Sequence, residues 1–216
     1  MDDKSLATLI DHTCLKPTAT IAQIELLCRE AIEFEFAAVC VQPVYVKLAG
    51  QLLKQTNIAV GTVIGFPLGA NLTEVKAFEA ENALSDGATE IDMVMNIGAF
   101  KGGHFQLVEK DIFAIKRLAG NHLLKVIIET CYLNNDEKAK ACEIVRGAGA
   151  DFIKTSTGFG PSGATIDDVK LLKDAAAGRI KIKAAGGIKT RVTAEALIKA
   201  GADRLGTSAS VAIMKG

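Results

Sequence analysis

Three charged residues lie inside short runs of otherwise apolar sequence. Asp92 is in EIDMVMNIGAF, Lys154 is in DFIKTSTGFG and Lys183 is in IKIKAAGGI. A charged side chain is costly in an apolar setting unless it reaches water or a partner, so this placement indicates a wet cavity. Two amines and a carboxylate are also the groups that Schiff-base chemistry with a proton relay requires.

The two lysines can change each other's proton affinity. A lysine with the ordinary pKa of about 10.4 is a poor nucleophile at neutral pH, because almost all of it is protonated. If Lys154 and Lys183 lie on adjacent strands, two nearby ammonium groups disfavour each other, and partial burial lowers the pKa further. We expect Lys154 to lose its proton, since apolar residues precede it and the flexible TSTG follows it. Asp92 would hold Lys183 charged and pass protons through it or through water.

Other lysines allow simpler interpretations. IKIKA also fits an alternating strand in which Lys181 and Lys183 both face solvent. Lys16 and Lys101 also follow predicted strands and are rival nucleophiles by position alone. Neither is flanked by the predicted phosphate-binding loops, so both rank lower.

Glycines and hydroxyls follow the predicted strands where a phosphate could bind. AAGGI supplies Gly186 and Gly187, GTSAS supplies Thr207 and Ser208 ahead of a short terminal helix, and TSTGFG supplies Gly158. A missing side chain lets backbone N–H groups approach an anion. Each glycine alone is typical of a turn, but together they predict a phosphorylated substrate.

These residues need a scaffold that brings several strand ends together. Eight runs rich in β-branched residues alternate with stretches of helical apolar spacing such as Ile21–Ile32. The runs are Leu9–Thr13, Ala37–Val41, Ile58–Phe66, Glu90–Asn96, Leu123–Glu129, Asp151–Ser156, Ile180–Ala184 and Arg204–Gly206. Gly87, Gly149 and Gly201 stand where helices would end in a left-handed residue. The pattern predicts an α/β protein, a single (β/α)8 TIM barrel over residues 1–216, with its site at the carboxyl ends of the strands. An open doubly wound sheet is the alternative.

Composition favours a small partner. The 216 residues carry 25 basic and 25 acidic side chains, so no net field attracts nucleic acid or a membrane. No leader or spanning segment is recognisable, and we expect a cytoplasmic protein. Neither GxGxxG nor GxxxxGK[ST] occurs. The five cysteines lack a CxxC pair, and the three histidines lack ligand spacing, so we expect no metal. For His12 and the preceding Asp11, we expect a structural hydrogen-bond role rather than catalysis.

Further motifs complete a family pattern. LIDHTCLKP, AAVCVQPVYV, VIGFPLGA and IIETCYL lie in that order around the motifs above. From about Leu9 to Met214 the chain resembles the deoxyribose-phosphate aldolases, which are class I aldolases. The resemblance implies reversible cleavage of 2-deoxy-D-ribose 5-phosphate to acetaldehyde and D-glyceraldehyde 3-phosphate, without cofactor or metal. It leaves a homo-oligomer open.

The resemblance also implies residue roles. Lys154 matches the Schiff-base lysine, Lys183 the second lysine and Asp92 the acid of the proton relay. Positions that contact phosphate match Gly158, Gly186, Gly187, Ser208 and the backbone at Ala209. Positions that line the sugar pocket match Thr13, Leu15 and Cys40. Two other functions stay open: another phosphosugar lyase or isomerase on this barrel, and a non-catalytic phosphosugar-binding protein.

Overall fold

The eight β-branched runs form the eight strands of a closed parallel barrel. In the computed structural model, which describes residues 1–216, the strands are β1 (Ile10–Cys14), β2 (Ala38–Val41), β3 (Ala59–Ile64), β4 (Glu90–Val94), β5 (Leu123–Ile127), β6 (Phe152–Lys154), β7 (Lys181–Ala185) and β8 (Arg204–Thr207). Each strand pairs with the next, and β8 pairs with β1. The predicted (β/α)8 barrel is confirmed and the open sheet is wrong. The predicted runs differ from the strands by one or two residues at their ends.

Helices connect the strands around the outside. They are α1 (Asp3–Ala7), α2 (Ile21–Phe34), α3 (Val46–Leu53), α4 (Thr73–Ser85), α5 (Ile97–Lys101), α6 (Phe105–Ala119), α7 (Asn135–Gly147), α8 (Ile166–Ala176), α9 (Arg191–Ala200) and α10 (Ser210–Lys215). In α2, a capping box between Thr20 and Gln23 starts the helix, and Ile24 and Leu27 are on its buried face. Ile21, at the start of the predicted face, is exposed. The glycines predicted to end helices do have positive φ.

Strand alternation separates an apolar shell from a charged interior. In β4, Ile91 and Met93 belong to a core of 48 buried apolar residues. Glu90 and Asp92, on the other face of the same strand, are equally buried but make ion pairs with residues of β5 to β8. Successive side chains of a strand point to opposite faces, so these carboxylates lie inside the barrel. The interior of the barrel therefore holds the charges that the sequence places in apolar strands.

Three observations concern membrane spans, cysteines and metal ligands. No helix combines the length and apolar character needed to cross a membrane. All five cysteines are free thiols. No group of three or more histidine, cysteine, aspartate or glutamate side chains is arranged to hold a metal ion.

Candidate active site

Asp92 joins the two lysines that the sequence singled out. Its Oδ2 accepts hydrogen bonds from Lys154 Nζ and Lys183 Nζ, each at 2.7 Å. Its Oδ1 accepts a hydrogen bond from Lys125 Nζ at 2.9 Å. Two amines that contact one oxygen atom are close enough to influence each other's ionisation strongly. The interpretation of Lys183 as a solvent-facing residue is therefore wrong: Lys183 is buried, whereas Lys181 is exposed.

A second carboxylate, Asp11, supports Lys183 from β1. Asp11 Oδ2 accepts a hydrogen bond from Lys183 Nζ, and Asp11 Oδ1 accepts one from Arg204 at 2.5 Å. Asp11 and His12 both form structural hydrogen bonds, but to different partners, because neighbouring residues of a strand face opposite sides. His12 contacts Ser210 Oγ through Nδ1 at 2.9 Å and Glu30 Oε2 through Nε2 at 2.8 Å.

The network contains one more base than acid. Its cations are Lys125, Lys154, Lys183 and Arg204, and its carboxylates are Asp11, Glu90 and Asp92. When all seven are ionised, one positive charge has no counter-charge, which is costly in a buried setting. Lys154 pairs with one carboxylate only, whereas Lys125, Lys183 and Arg204 each pair with at least two. Lys154 is thus the base whose deprotonation leaves the network best balanced.

The proton affinities of the two lysines diverge. Burial lowers the pKa of Lys154; Asp92 opposes this effect, and the Lys183 charge adds to it. Burial acts in the same direction on Lys183, but Asp11 and Asp92 together outweigh it and raise its pKa. Burial alone would raise the pKa of Asp92, yet its three lysine partners hold it well below the ordinary value. Lys154 is therefore the easier amine to deprotonate, as predicted, although burial and not the second cation is the main cause.

A cavity of about 490 Å³ opens above the network. Of the network residues, Lys154 alone lines it, while Asp92 and Lys183 lie beneath. Of the rival lysines, Lys16 lies on the wall but is exposed. Lys101 forms an ion pair with Glu137 at 2.7 Å and does not line the cavity. Only Lys154 therefore combines a buried amine of lowered pKa with access to a ligand.

Most of the other predicted binding residues surround this cavity. Thr13, Leu15, Gly158, Gly186, Gly187 and Ser208 all line it. Gly186 has φ 88°, and a Cβ there would lie 3.0 Å from Gly163 Cα, so a larger residue would separate the loops after β6 and β7. Cys40 is not on the wall: it is buried with Leu15 and Val63, and burial raises the pKa of its thiol to about 11. Ala209 is also off the wall, and its N–H donates to Thr207 Oγ1 at 3.0 Å.

Sequence reasoning missed four of the seven residues of the charged network. Lys125 lies in the apolar run LLKVI and Asp11 in LIDHT, so the criterion that found Asp92 could have found both. Glu90 precedes Asp92 by two residues, which puts both on one face of the strand. Arg204 begins a strand and carries no comparable signal.

Comparison with known proteins connects this geometry to a family. The sequence model of the DeoC/LacD family aldolases matches residues 5–214. The chain belongs to this aldolase family. A relative named deoxyribose-phosphate aldolase, from Clostridium perfringens (strain 13 / Type A), is 54% identical over 217 residues, which cover 100% of this chain and 97% of that protein. Another of the same name, from Thermoanaerobacter sp. (strain X514), is 52% identical over 98% of this chain and 96% of its own.

The fold is shared with solved members of the aldolase family. A structure described as the unique tetrameric structure of deoxyribose phosphate aldolase from Aeropyrum pernix superposes with a TM-score of 0.94 at 34% identity. The alignment covers 99% of this chain and 91% of that one. The family resemblance stated from the motifs is therefore confirmed.

Proposed function

We propose that this chain is a carbon–carbon lyase that reversibly cleaves 2-deoxy-D-ribose 5-phosphate to acetaldehyde and D-glyceraldehyde 3-phosphate. One observation carries the proposal: Lys154 is the only amine of the network on the cavity wall, and its pKa is lowered. The substrate follows from the names of the full-length relatives. Residues 1–216 act as one catalytic domain.

Lys154 acts as the nucleophile. Its neutral amine attacks C1 of the open-chain aldehyde, and the carbinolamine takes up one proton through the relay of Asp92, Lys183 and water and loses water to give a protonated imine. This iminium carries the same charge as the ammonium group that Asp92 contacts at 2.7 Å in the structure. Asp92 therefore stabilises the covalent intermediate without rearrangement of the network.

Asp92, Lys183 and a water molecule move the protons. They remove the proton of the C3 hydroxyl, the C2–C3 bond breaks, and its electron pair moves into the iminium to form an enamine. Glyceraldehyde 3-phosphate leaves. Because the pKa of Asp92 is held low, the carboxylate passes the proton on rather than retaining it. Protonation of the enamine at C2 and hydrolysis of the resulting iminium release acetaldehyde and regenerate Lys154.

The glycine loops orient the substrate. Gly158, Gly186, Gly187 and Ser208 bind the phosphate at one side of the cavity, and the aldehyde end reaches Lys154. Thr13 and Leu15 contact the sugar carbons between these ends. Cys40 shapes that wall from behind Leu15, and Ala209 supports the loop that carries Ser208.

The proposal also covers the assembly of the protein and its location in the cell. A homo-oligomer is proposed from the relative described as tetrameric. The reaction belongs to deoxyribose phosphate catabolism in the cytoplasm, as the family resemblance implies.

Trapping of the imine tests this function. Acetaldehyde with borohydride should leave one ethyl group on the peptide that contains Lys154, and the untreated protein should turn over the phosphosugar. Lys154→Arg is the matched control, since it keeps the positive charge beside Asp92 but cannot form the imine. An adduct on Lys16 instead, or turnover with no adduct, would overturn the assignment. A phosphosugar isomerase gives no adduct, and a binding protein gives no turnover.

A further inference from the structure

Glu129 is a buried carboxylate that lies outside the ion network. It is 2% exposed and forms no ion pair. It follows the end of β5 by two residues, and its φ of 52° is in the left-handed region that glutamate rarely adopts. A charge buried without a cation, on an unfavourable backbone angle, persists only where its surroundings hold it in place.

Thr157 supplies those surroundings. The Thr157 N–H donates to both oxygens of Glu129, at 3.2 and 3.3 Å, and the Thr157 hydroxyl donates to Oε2. Thr157 Oγ1 in turn accepts a hydrogen bond from the Phe159 N–H at 3.0 Å. Gly160 packs on the same carboxylate, since a Cβ there would lie 3.2 Å from Glu129 Cδ. One side chain therefore fixes the turn from Thr157 to Gly160.

The turn from Thr157 to Gly160 forms no backbone hydrogen bonds with the sheet. Backbone pairing after β6 continues to Thr155, which bonds to Lys183 and Thr130, and resumes at Ala164. Residues 156–163 make no backbone–backbone hydrogen bond. Buried backbone groups that lack a partner are costly, so the Thr157 N–H depends on Glu129.

The turn also forms part of the cavity wall. Thr157, Gly158 and Phe159 line the cavity, and Lys154 is three residues before the turn. Gly158, with φ 86°, stands between the two residues that the Glu129 hydrogen bonds fix. The position of the Gly158 backbone is therefore set from β5, the neighbouring strand end, rather than by β6 itself.

We propose that Glu129 is a positioning residue that holds the Thr157–Gly160 turn in the shape that binds the substrate phosphate. This role rests on the proposed function. Glu129 touches neither Lys154 nor the cavity, so it acts through Thr157. A carboxylate is required, because a glutamine amide offers one accepting oxygen and an NH2 donor that would oppose the Thr157 donors.

The experiment compares Glu129→Gln, Thr157→Val and Thr157→Ser with Glu143→Gln, a control on an exposed glutamate of α7. Three quantities are measured: KM and kcat for 2-deoxyribose 5-phosphate, the affinity for inorganic phosphate by calorimetry, and the rate of borohydride trapping by acetaldehyde. Loss of the contact should raise KM and weaken phosphate binding roughly tenfold, the effect of an unsatisfied buried group. The trapping rate should change less than about twofold, since acetaldehyde has no phosphate.

Thr157→Ser keeps both donors, so it should restore phosphate affinity close to the wild-type value. Equal losses in trapping and in phosphate binding would overturn the proposal, because they would indicate general damage to the fold. Unchanged phosphate affinity in Glu129→Gln and Thr157→Val would overturn it as well. If Glu129→Gln does not fold, Thr157→Val tests the same contact. The calorimetric arm needs no turnover, so failure of the proposed reaction is distinguishable from failure of this role.

Discussion

Lys154 and Lys183 lie directly opposite each other in the β6–β7 register, and their amines share one oxygen of Asp92. Their pKa values nevertheless move apart, because Lys183 has a second carboxylate in Asp11 and Lys154 does not. Two identical side chains thereby acquire different proton affinities, as the proposed roles of nucleophile and fixed cation require. The difference between their pKa values comes from Asp11 on β1, the strand that pairs with β8 and closes the barrel.

Replacement of Lys183 by methionine should make Lys154 harder to deprotonate. The Lys183 charge lowers the pKa of Lys154, so its loss moves the pH midpoint of acetaldehyde–borohydride trapping upward. Each unit of that shift lowers the trapping rate at neutral pH about tenfold. Lys181→Met on the exposed face of the same strand should leave the midpoint in place. A midpoint that stays or falls in Lys183→Met would contradict activation by the second cation.

Asp92→Asn should cost both stability and activity. Three buried lysines and the partly buried Arg204 would be left with two carboxylates, and removal of one partner of a buried pair typically costs about 3–5 kcal/mol. Urea unfolding measures the loss, with Asp174→Asn on the exposed side of α8 as control. Adding Lys125→Met to Asp92→Asn should restore part of the stability, because it removes one unpaired cation. A double variant as unstable as the sum of the two single variants would show that charge balance does not govern this core.

The barrel was predicted from the alternation of strand-like and helical runs, and the three central residues were predicted from one further signal. A charge inside an apolar strand is costly unless it points to water or to an enclosed polar site, and the barrel interior supplies such a site. Asp92, Lys154 and Lys183 all carry that signal. Their register could be expected once β6 and β7 were assigned as neighbours.

The hydrogen-bond partners of these residues depend on how the barrel closes and on individual backbone angles. Neither can be derived from the pattern of residue types along the sequence. Asp11 reaches Lys183 only because β8 pairs with β1. His12 bonds to Ser210, 198 residues away, for the same reason. Glu129 was assigned to a strand end, and its contact with Thr157 requires a left-handed residue that no β propensity indicates.

Acid should destabilise the protein through Asp11 and Asp92. Burial alone would raise the pKa of Asp11, but Lys183, Lys125 and Arg204 lower it to about 2. An unfolded aspartate has a pKa of about 3.9, so the unfolded state takes up the proton first. The stabilisation is complete above pH of about 4 and is lost as the pH falls toward about 2, with Asp11 contributing about 2 kcal/mol.

Asp11→Asn tests this assignment. The variant should be less stable at neutral pH, and its unfolding free energy in urea should fall less steeply in that acid range. Asp174→Asn, without an ion-pair partner, should keep the wild-type slope. An Asp11→Asn slope equal to that of the wild type would assign the acid sensitivity to other carboxylates.

Replacement of Ser210 should affect stability, whereas replacement of Ser208 should affect phosphate binding. Ser210 is fully buried, and its hydroxyl contacts His12 Nδ1 at 2.9 Å while Glu30 occupies Nε2. Ser210→Ala leaves a buried ring nitrogen without a partner, which should lower the free energy of unfolding by about 1–3 kcal/mol. Ser208 is exposed on the cavity wall, so Ser208→Ala should raise KM for the phosphosugar severalfold and leave stability unchanged.

Urea unfolding and steady-state kinetics on both variants distinguish the two roles. The two hydroxyls are two residues apart at the β8–α10 junction, so a general disturbance of this segment would affect both measurements in both variants. Stability lost in Ser208→Ala, with none lost in Ser210→Ala, would contradict a structural role for the contact between His12 and Ser210. The expected crossed pattern follows from burial alone, because only the enclosed hydroxyl has no water to replace its partner.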